Sequence, residues 1–398
     1  MTVGALVAAA WALALCGTFA VALWRSFGGR GAAVVDRQPM RMALLRPCAG
    51  AEPWLEANLT SLDPAALGPG AVVVFGVASA SDPAWPVCAA AAETLRGRGV
   101  DARALVTGAQ APNMKSAQLA AMAAAIGEVE VIVNADSDVD LGSVDWGAWL
   151  SPFRASTRLG ARWVPPVEAP GLTLGDRASE ALLAGSLHAF PILAGLDPGG
   201  LVGKLVALDA EALKRVGGFE ALTHHLGEDM ELARRLRAAG YAVSAMPGVA
   251  RARVSGRSLA AVRARYARWV MVIRAQRPAL LWSYPALFFA SALVVPLLSG
   301  LALGCRGPLG AGLGALALGL ATLRLTLGAR ARALAGRPRG LVGLVVDWGL
   351  SEALLAAAWA SALGPREVVW RGRRLQIDAA GALRGASARA EGAAGREA

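Results

Sequence analysis

Hydropathy divides the chain into a short apolar start, a long mixed middle and an apolar end. Residues 3–24 (VGALVAAAWALALCGTFAVALW) carry no charge over a length that lets one helix cross a hydrocarbon core of about 30 Å. From about 25 to 278 no such run occurs, and then 280–304, 308–323 and 341–363 supply three further candidate spans. The start is uncharged, and Arg25, Arg30 and Arg37 follow the first run, which predicts a retained anchor rather than a cleaved signal peptide. The positive-inside rule then puts the N-terminus outside and the middle of the chain in the cytoplasm.

Between the second and third of these later runs, Arg324, Arg330, Arg332, Arg337 and Arg339 predict a cytoplasmic loop. Four crossings would leave the tail outside, although it holds Arg366, Arg371, Arg373 and Arg374, so one C-terminal segment is expected to be re-entrant or interfacial. The weakest is 341–363, which contains Asp347 and Glu352; these acids are either functional or paired with nearby arginines. Past about 376 the Ala/Gly/Arg-rich tail reads as disordered.

In the middle block, short β-rich apolar runs alternate with Ala/Leu-rich helical stretches. This pattern predicts an α/β sheet with helices on its faces. The strands expected are 42–47, 71–78, 101–107, 129–135 and 161–167, and the helices 52–62, 85–98, 115–126, 174–192, 209–216 and 228–239. Ligands in such sheets sit at the carboxyl ends of the strands. Asp82 follows 71–78, and Asp136-Ser137-Asp138 follows 129–135, so both fall at that edge. Two carboxylates at i and i+2 where a strand ends suit a hard divalent cation such as Mg²⁺ or Mn²⁺, together with diphosphate oxygens. Asp140 continues the acidic run as a helix cap.

Glu228, Asp229 and Glu231 open a helix with an apolar stripe at Leu232, Leu236 and Tyr241. They complement the helix dipole, and a carboxylate at the sheet rim is also placed to accept a proton. Further on, Arg265, Arg268 and Trp269 share one helix face, so that guanidinium groups face phosphates beside an apolar wall.

Composition narrows the possibilities. The chain is 398 residues long, 55% hydrophobic and +11 in net charge. That excludes a disordered chain. Cys16, Cys48, Cys88 and Cys305 include no CxxC pair, which excludes a disulfide scaffold or zinc knuckle. Lys115, Lys204 and Lys214 are the lysines, so the positive charge is nearly all arginine. No zinc finger, recognition helix or RNA-binding signature accompanies it, so nucleic acid is not the expected partner. The alanine- and arginine-heavy usage points to a GC-rich bacterial genome.

Taken in order, LLRPCAGAEPWLEANLTSL (44–62), ASDPAWPVC (80–88), NMK (113–115), NADSD (134–138), LHAFP (187–191), VGGFEAL (216–222), GEDMELARRLRAAGY (227–241) and RYARW (265–269) closely resemble the ceramide glucosyltransferase group of membrane glycosyltransferases. The resemblance implies a cytoplasmic GT-A domain with a mixed sheet. It also implies a UDP-glucose donor, a divalent metal, a lipid acceptor and inversion at the anomeric carbon. By position, Asp82 resembles the group's nucleotide-side acid, Asp136 and Asp138 its metal motif, and Asp229 its catalytic base. His188 resembles the active-site histidine, and Arg265, Arg268 and Trp269 match the R/Q-x-x-R-W motif. Lys115 in NMK and Glu228 beside the base are counted with the substrate-binding residues.

Three departures stand out: NMK for N-P-K, GEDM for A-E-D-Y, and Gly203-Lys204-Leu205 for a small-polar stretch. A similar group acts on hopanoid lipids with an N-acetylglucosamine donor. A processive synthase is disfavoured by the initial Arg265 and the small helix bundle. A non-enzymatic lipid-binding module would explain the arginines but not the acids. The expected organisation is an anchor at 1–24, a GT-A domain at 25–278, membrane segments at 279–364 and a basic, disordered tail at 365–398. The expected place is a bacterial inner membrane with the catalytic domain on its cytoplasmic face.

Overall fold

The computed structural model describes residues 3–27, 40–142, 144–197, 199–305, 307–370, 373–378 and 381–385. Its strands are β1 (Met42–Pro47), β2 (Val72–Val77), β3 (Asp101–Val106), β4 (Val131–Ala135), β5 (Val139–Asp140), β6 (Leu159–Trp163), β7 (Pro166–Glu168), β8 (Leu205–Asp209), β9 (Ala242–Ala245), β10 (Ala250–Ala252), β11 (Glu367–Trp370), β12 (Arg373–Ile377) and β13 (Leu383–Gly385). A central seven-stranded sheet runs β3-β2-β1-β4-β8-β6-β9. β3, β2, β1 and β4 are parallel, and β8 runs against both β4 and β6. β5, β10 and β7 form a small second sheet.

The helices are α1 (Val3–Phe27), α2 (Leu55–Leu59), α3 (Trp85–Gly97), α4 (Met114–Ala124), α5 (Trp146–Ala155), α6 (Leu174–Gly185), α7 (Phe190–Leu196), α8 (Ala210–Arg215), α9 (Glu228–Ala238), α10 (Leu259–Gln276), α11 (Pro278–Leu281), α12 (Ser291–Gly304), α13 (Pro308–Leu334) and α14 (Leu341–Ala362). Both faces of the central sheet are covered. Met42, Leu44, Val73 and Phe75 pack into a core with residues of α2, α3 and α5, while the alternate Ala43, Leu45 and Val74 pack with α4, α6 and α10. Burial on both faces is why these strands read as unbroken apolar runs. The mixed sheet with helices on both faces is the architecture expected from sequence.

Several elements differ from expectation. The run 161–167 is two strands, because Pro165 and Pro166 interrupt the ladder between β6 and β7. The stretch 174–192 is two helices, parted at Ser186, Leu187, His188 and Ala189. β8 was not among the expected strands, although its Leu205–Leu208 stretch is fully buried. The tail does not stay unstructured after 365: β11, β12 and β13 form a sheet whose Val368, Leu375, Ile377 and Leu383 join the main core. Its apolar alternation is short enough to be lost among the surrounding arginines. Residues 386–398 lie outside the described residues.

Among the described residues, four helices are long and apolar enough to cross a membrane, or five when a bent pair is counted. One of the four, Leu174–Leu196, is 78% buried within the protein and belongs to the core beside the sheet. The bent pair is Pro278–Phe288 with Ser291–Gly304, at 43°. The irregular segment is therefore 278–304, while 341–362 is one uninterrupted helix.

Of the arginines expected in a loop, Arg337 and Arg339 do lie between α13 and α14, and the other three lie elsewhere. Arg324, Arg330 and Arg332 are inside α13, with Arg324 and Arg332 fully buried. Arg324 Nε donates to Glu352 at 3.0 Å, and Arg332 Nε donates to Asp347 at 2.8 Å and Nη1 to Glu180 on α6 at 2.5 Å. The two acids of α14 are thus paired with arginines, and one of those arginines reaches α6 beside the central sheet.

Candidate active site

The carboxyl ends of β1, β2 and β4 lie side by side, and the loops after them build a cleft. Arg46, the charged residue of the otherwise apolar β1, is fully buried. Its guanidinium donates to the carbonyls of Asn58 at 2.6 Å, Asp136 at 2.9 Å and Val139 at 2.7 Å. Those bonds hold the Asp136-Ser137-Asp138 turn by its backbone and leave both aspartate side chains to face the cleft. Ser137 Oγ donates to Glu52 at 2.5 Å. The cleft holds about 130 Å³ and is lined by Pro47, Glu52, Met114, Lys115, Gln118, Asp136, Ser137 and Asp138.

NMK acts as a unit. Asn113 Oδ1 accepts the Ser116 N–H and caps α4, while its Nδ2 donates to Glu228 at 3.1 Å. The cap turns Lys115 into the cleft, where Nζ lies 2.7 Å from Asp136 and 3.5 Å from Glu228 and donates to the Gly203 carbonyl at 2.9 Å. Burial alone would lower the Lys115 pKa, but Asp136 and Glu228 outweigh it and hold the ammonium above its ordinary range. Burial likewise opposes ionisation of Asp136, yet Lys115 and Lys204 hold that carboxyl below its usual value.

Glu228 and Asp229 open α9, and Asp229 accepts the Gly203 N–H at 3.1 Å and the Met230 N–H at 2.8 Å. A Cβ at Gly203 would sit 3.3 Å from the Asp229 Cβ and 3.5 Å from Lys115 Nζ, so glycine allows this close approach. Burial raises the pKa of both acids; for Asp229 the Gly203 N–H and Lys115 oppose the rise, and for Glu228 Lys115 opposes it while the Asp229 charge adds to it. The structure thus brings Lys115, Asp136, Asp138, Glu228 and Asp229 into one neighbourhood around Lys115, Lys204 and Gly203.

The other expected site residues stand apart from the cleft lining. Asp82 Oδ1 accepts the N–H of Gly50 at 2.7 Å and of Ala84 at 2.9 Å, tying the loops after β1 and β2 together at the same sheet edge. Arg265 was expected to meet phosphates, but its guanidinium is committed to the buried Glu168, which it shares with Arg257. It also lies 4.9 Å from the centre of the Trp269 ring, and Trp269 packs on Tyr266 and Phe190. Arg268 is the arginine of the trio with no carboxylate partner among the described residues. Burial, then Arg265, lowers its pKa.

Arg268, Val272 and Gln276 share one face of α10. A Cβ at Gly227 would meet Val272 at 2.3 Å, and Gln276 donates to the Gly227 carbonyl. Arg268 is therefore one turn along the face that packs beside the start of α9. His188 departs from expectation. It is buried against Phe190, Tyr284 and Phe288, with Nε2 3.3 Å from the Tyr284 hydroxyl, and does not line the cleft. Its apolar surroundings in sequence, AGSLHAFPIL, already carry that packing.

Sequence reasoning passed over Arg46, Glu52 and Asn113 as site builders, and it read Lys204 only as a departure. A lone arginine within an apolar strand and the rarity of lysine in the chain were the available signals.

Asp136 and Asp138 were expected to hold a divalent metal. In this structure Lys204 Nζ lies 2.6 Å and 2.5 Å from the two Asp138 oxygens and 3.6 Å from Asp136, whose other oxygen faces Lys115. Two ammonium groups cancel the charge of two carboxylates. With both Asp138 oxygens on Lys204 and one Asp136 oxygen on Lys115, a divalent ion would have to displace an ammonium group to reach the carboxylate pair. The donor set, as arranged, does not fit a resident divalent ion.

Known proteins place the chain. Among solved structures it is similar to the mannosyltransferase PcManGT from Pyrobaculum calidifontis in complex with GDP-Man and Mn²⁺, at 18% identity over 89% of this chain and 99% of that one, with a TM-score of 0.47. It is also similar to glucosyl-3-phosphoglycerate synthase from Mycobacterium tuberculosis in complex with Mn²⁺, UDP and glucosyl-3-phosphoglycerate, at 17% identity over 58% of this chain and 80% of that one, with a TM-score of 0.34. No curated protein matches the chain. From within the first apolar helix to β13, residues 7–383 match one family along nearly the whole described length, and the chain belongs to Glycosyl transferase family 21.

Proposed function

We propose that the protein is an inverting glycosyltransferase that moves glucose from UDP-glucose to the primary hydroxyl of a membrane lipid, ceramide, to give a β-glycolipid. The observation that carries this reading is the pair Glu228 and Asp229, joined through Lys115 to Asp136 at the end of β4. A polar cleft with acids at its rim suits a charged sugar donor and a hydroxyl acceptor. Exposed Leu6, Leu13, Leu293, Leu303, Leu318 and Val342 on α1, α12, α13 and α14 suit a bilayer. By the distribution of arginines the sheet faces the cytoplasm, in a bacterial inner membrane.

In the reaction the UDP diphosphate lies at the carboxyl edge of β1 and β4, with Asp82 on the nucleotide side. The lipid oxygen attacks the anomeric carbon from the face opposite UDP, its proton passes to Asp229, and the bond to the diphosphate breaks with its electron pair leaving on UDP. One displacement inverts the centre. Arg268 faces the negative charge that grows on UDP, the larger demand of such a transfer. Lys115 holds Asp136 and the acid pair in register, and Asn113 fixes Glu228.

The test offers the purified full chain, in lipid nanodiscs, UDP-glucose or UDP-N-acetylglucosamine with ceramide, diacylglycerol or a hopanoid, and identifies products by mass spectrometry. A β-hexosylceramide from UDP-glucose is expected. An N-acetylhexosaminyl hopanoid would reassign donor and acceptor, and no glycolipid from any pair would remove the proposal. Removing a positioned base costs about 10²–10⁴ in rate. Asp229→Asn should therefore lose that much in kcat while keeping its affinity for UDP, measured by calorimetry.

A further inference from the structure

Lys204 stands beside the cleft on both oxygens of Asp138, and the reaction above gives it no task. Its position is fixed by the backbone rather than by its own flexibility. β8 runs antiparallel to β4 with Leu205 opposite Ala135, and the Asp136 N–H donates to the Lys204 carbonyl at 2.8 Å, so Lys204 stands directly across from the acidic turn. Its side chain is only 13% exposed, and its ammonium sits on both oxygens of Asp138. Of the three lysines among 40 basic residues, two meet here. An ammonium is a compact point charge with three donors, whereas a guanidinium is a planar fork. Here it is the compact group that stands between two carboxylates.

We propose that Lys204 is a built-in cation: its ammonium occupies the place between Asp138 and Asp136 that a divalent ion would fill, and it meets the donor diphosphate without a metal. The idea rests on the nucleotide-sugar reading of the cleft. Two of the three N–H groups go to Asp138 and the third faces Asp136 at 3.6 Å, where a phosphate oxygen entering the cleft competes for it. Asp136 and Asp138 then orient a lysine rather than ligate an ion. Replacing Lys204 by an uncharged residue reopens the acidic pair, and the site gains a metal requirement that the native chain lacks.

The experiment uses the full chain in detergent micelles, with UDP and MnCl₂ as probes. UDP affinity is measured by calorimetry in EDTA and in Mn²⁺, and bound Mn²⁺ is counted by electron paramagnetic resonance. Native protein should bind UDP in EDTA, with affinity changed less than about twofold by Mn²⁺, and hold no stoichiometric Mn²⁺. Lys204→Met and Lys204→Ser should bind UDP at least about tenfold more weakly in EDTA, bind one Mn²⁺ per chain and recover with it. Native protein that binds UDP only with one Mn²⁺ would overturn the role of Lys204 while leaving the nucleotide-sugar reading intact. Variants that keep native affinity in EDTA and take up no Mn²⁺ would overturn it too. No UDP binding by native protein under either condition would remove both readings.

Discussion

Asp229 feels burial, which favours its neutral form, and the Gly203 N–H with Lys115, which favour its charged one; burial prevails. A base must be ionised to accept a proton, so a raised pKa makes turnover fall as pH drops through that higher value. The acid limb of the kcat profile should lie above the ordinary aspartate value of about 3.9. Glu228 titrates with Asp229, so the limb belongs to the pair. A limb at or below the ordinary value, measured with saturating donor and lipid, would contradict this. Arg265 and Arg268 on α10 separate in the same way. Arg268→Ala should lower kcat by about 10²–10³ with little change in melting temperature. Arg265→Ala should instead weaken folding by about 3 kcal/mol, because Glu168 stays buried with one partner fewer. Calorimetric melting beside steady-state kinetics distinguishes them.

Among elements, the tail sheet has the most direct bearing on the site. Leu383 N–H donates to the His224 carbonyl at 2.5 Å, Leu226 N–H donates to the Gly381 carbonyl at 3.3 Å, and His225 bridges Ala382. Those contacts grip the segment that leads into Glu228 and Asp229. Ending the chain after Gly364 should lower the melting temperature and cost most of kcat, whereas ending it after Gly385 should leave both near native values. The buried strands were legible in sequence because a two-sided apolar run has one simple explanation, and the acids were legible because they follow such runs. The tail sheet was not, since a few apolar residues among arginines acquire meaning only against a partner surface. Nor could spacing reveal that Lys204 faces Asp136, because β8 pairs with β4 from 70 residues away in an antiparallel ladder that local pattern does not announce. Lys115 was legible only as part of NMK, and its bridge between two acids depends on three elements meeting.

At the scale of the molecule, the membrane helices and the sheet are joined by charge as well as by apolar packing. Arg332 on α13 holds Asp347 on α14 and Glu180 on α6, with Arg337 and Arg339 also reaching Glu180. Breaking such a buried set by removing one member typically costs about 3–5 kcal/mol. Arg332→Met should lower the melting temperature accordingly while leaving the residues around Asp229 chemically unchanged. A rigid joint of this kind turns the protein into a gauge of depth. On the proposed reading, with the apolar helices in a bilayer, the mouth of the cleft stands at a set height over the hydrocarbon, so lipids of longer acyl chain move the headgroup plane past it rather than carrying the enzyme with them. Turnover in vesicles of graded chain length should therefore peak at one thickness, and loosening the joint should broaden that peak.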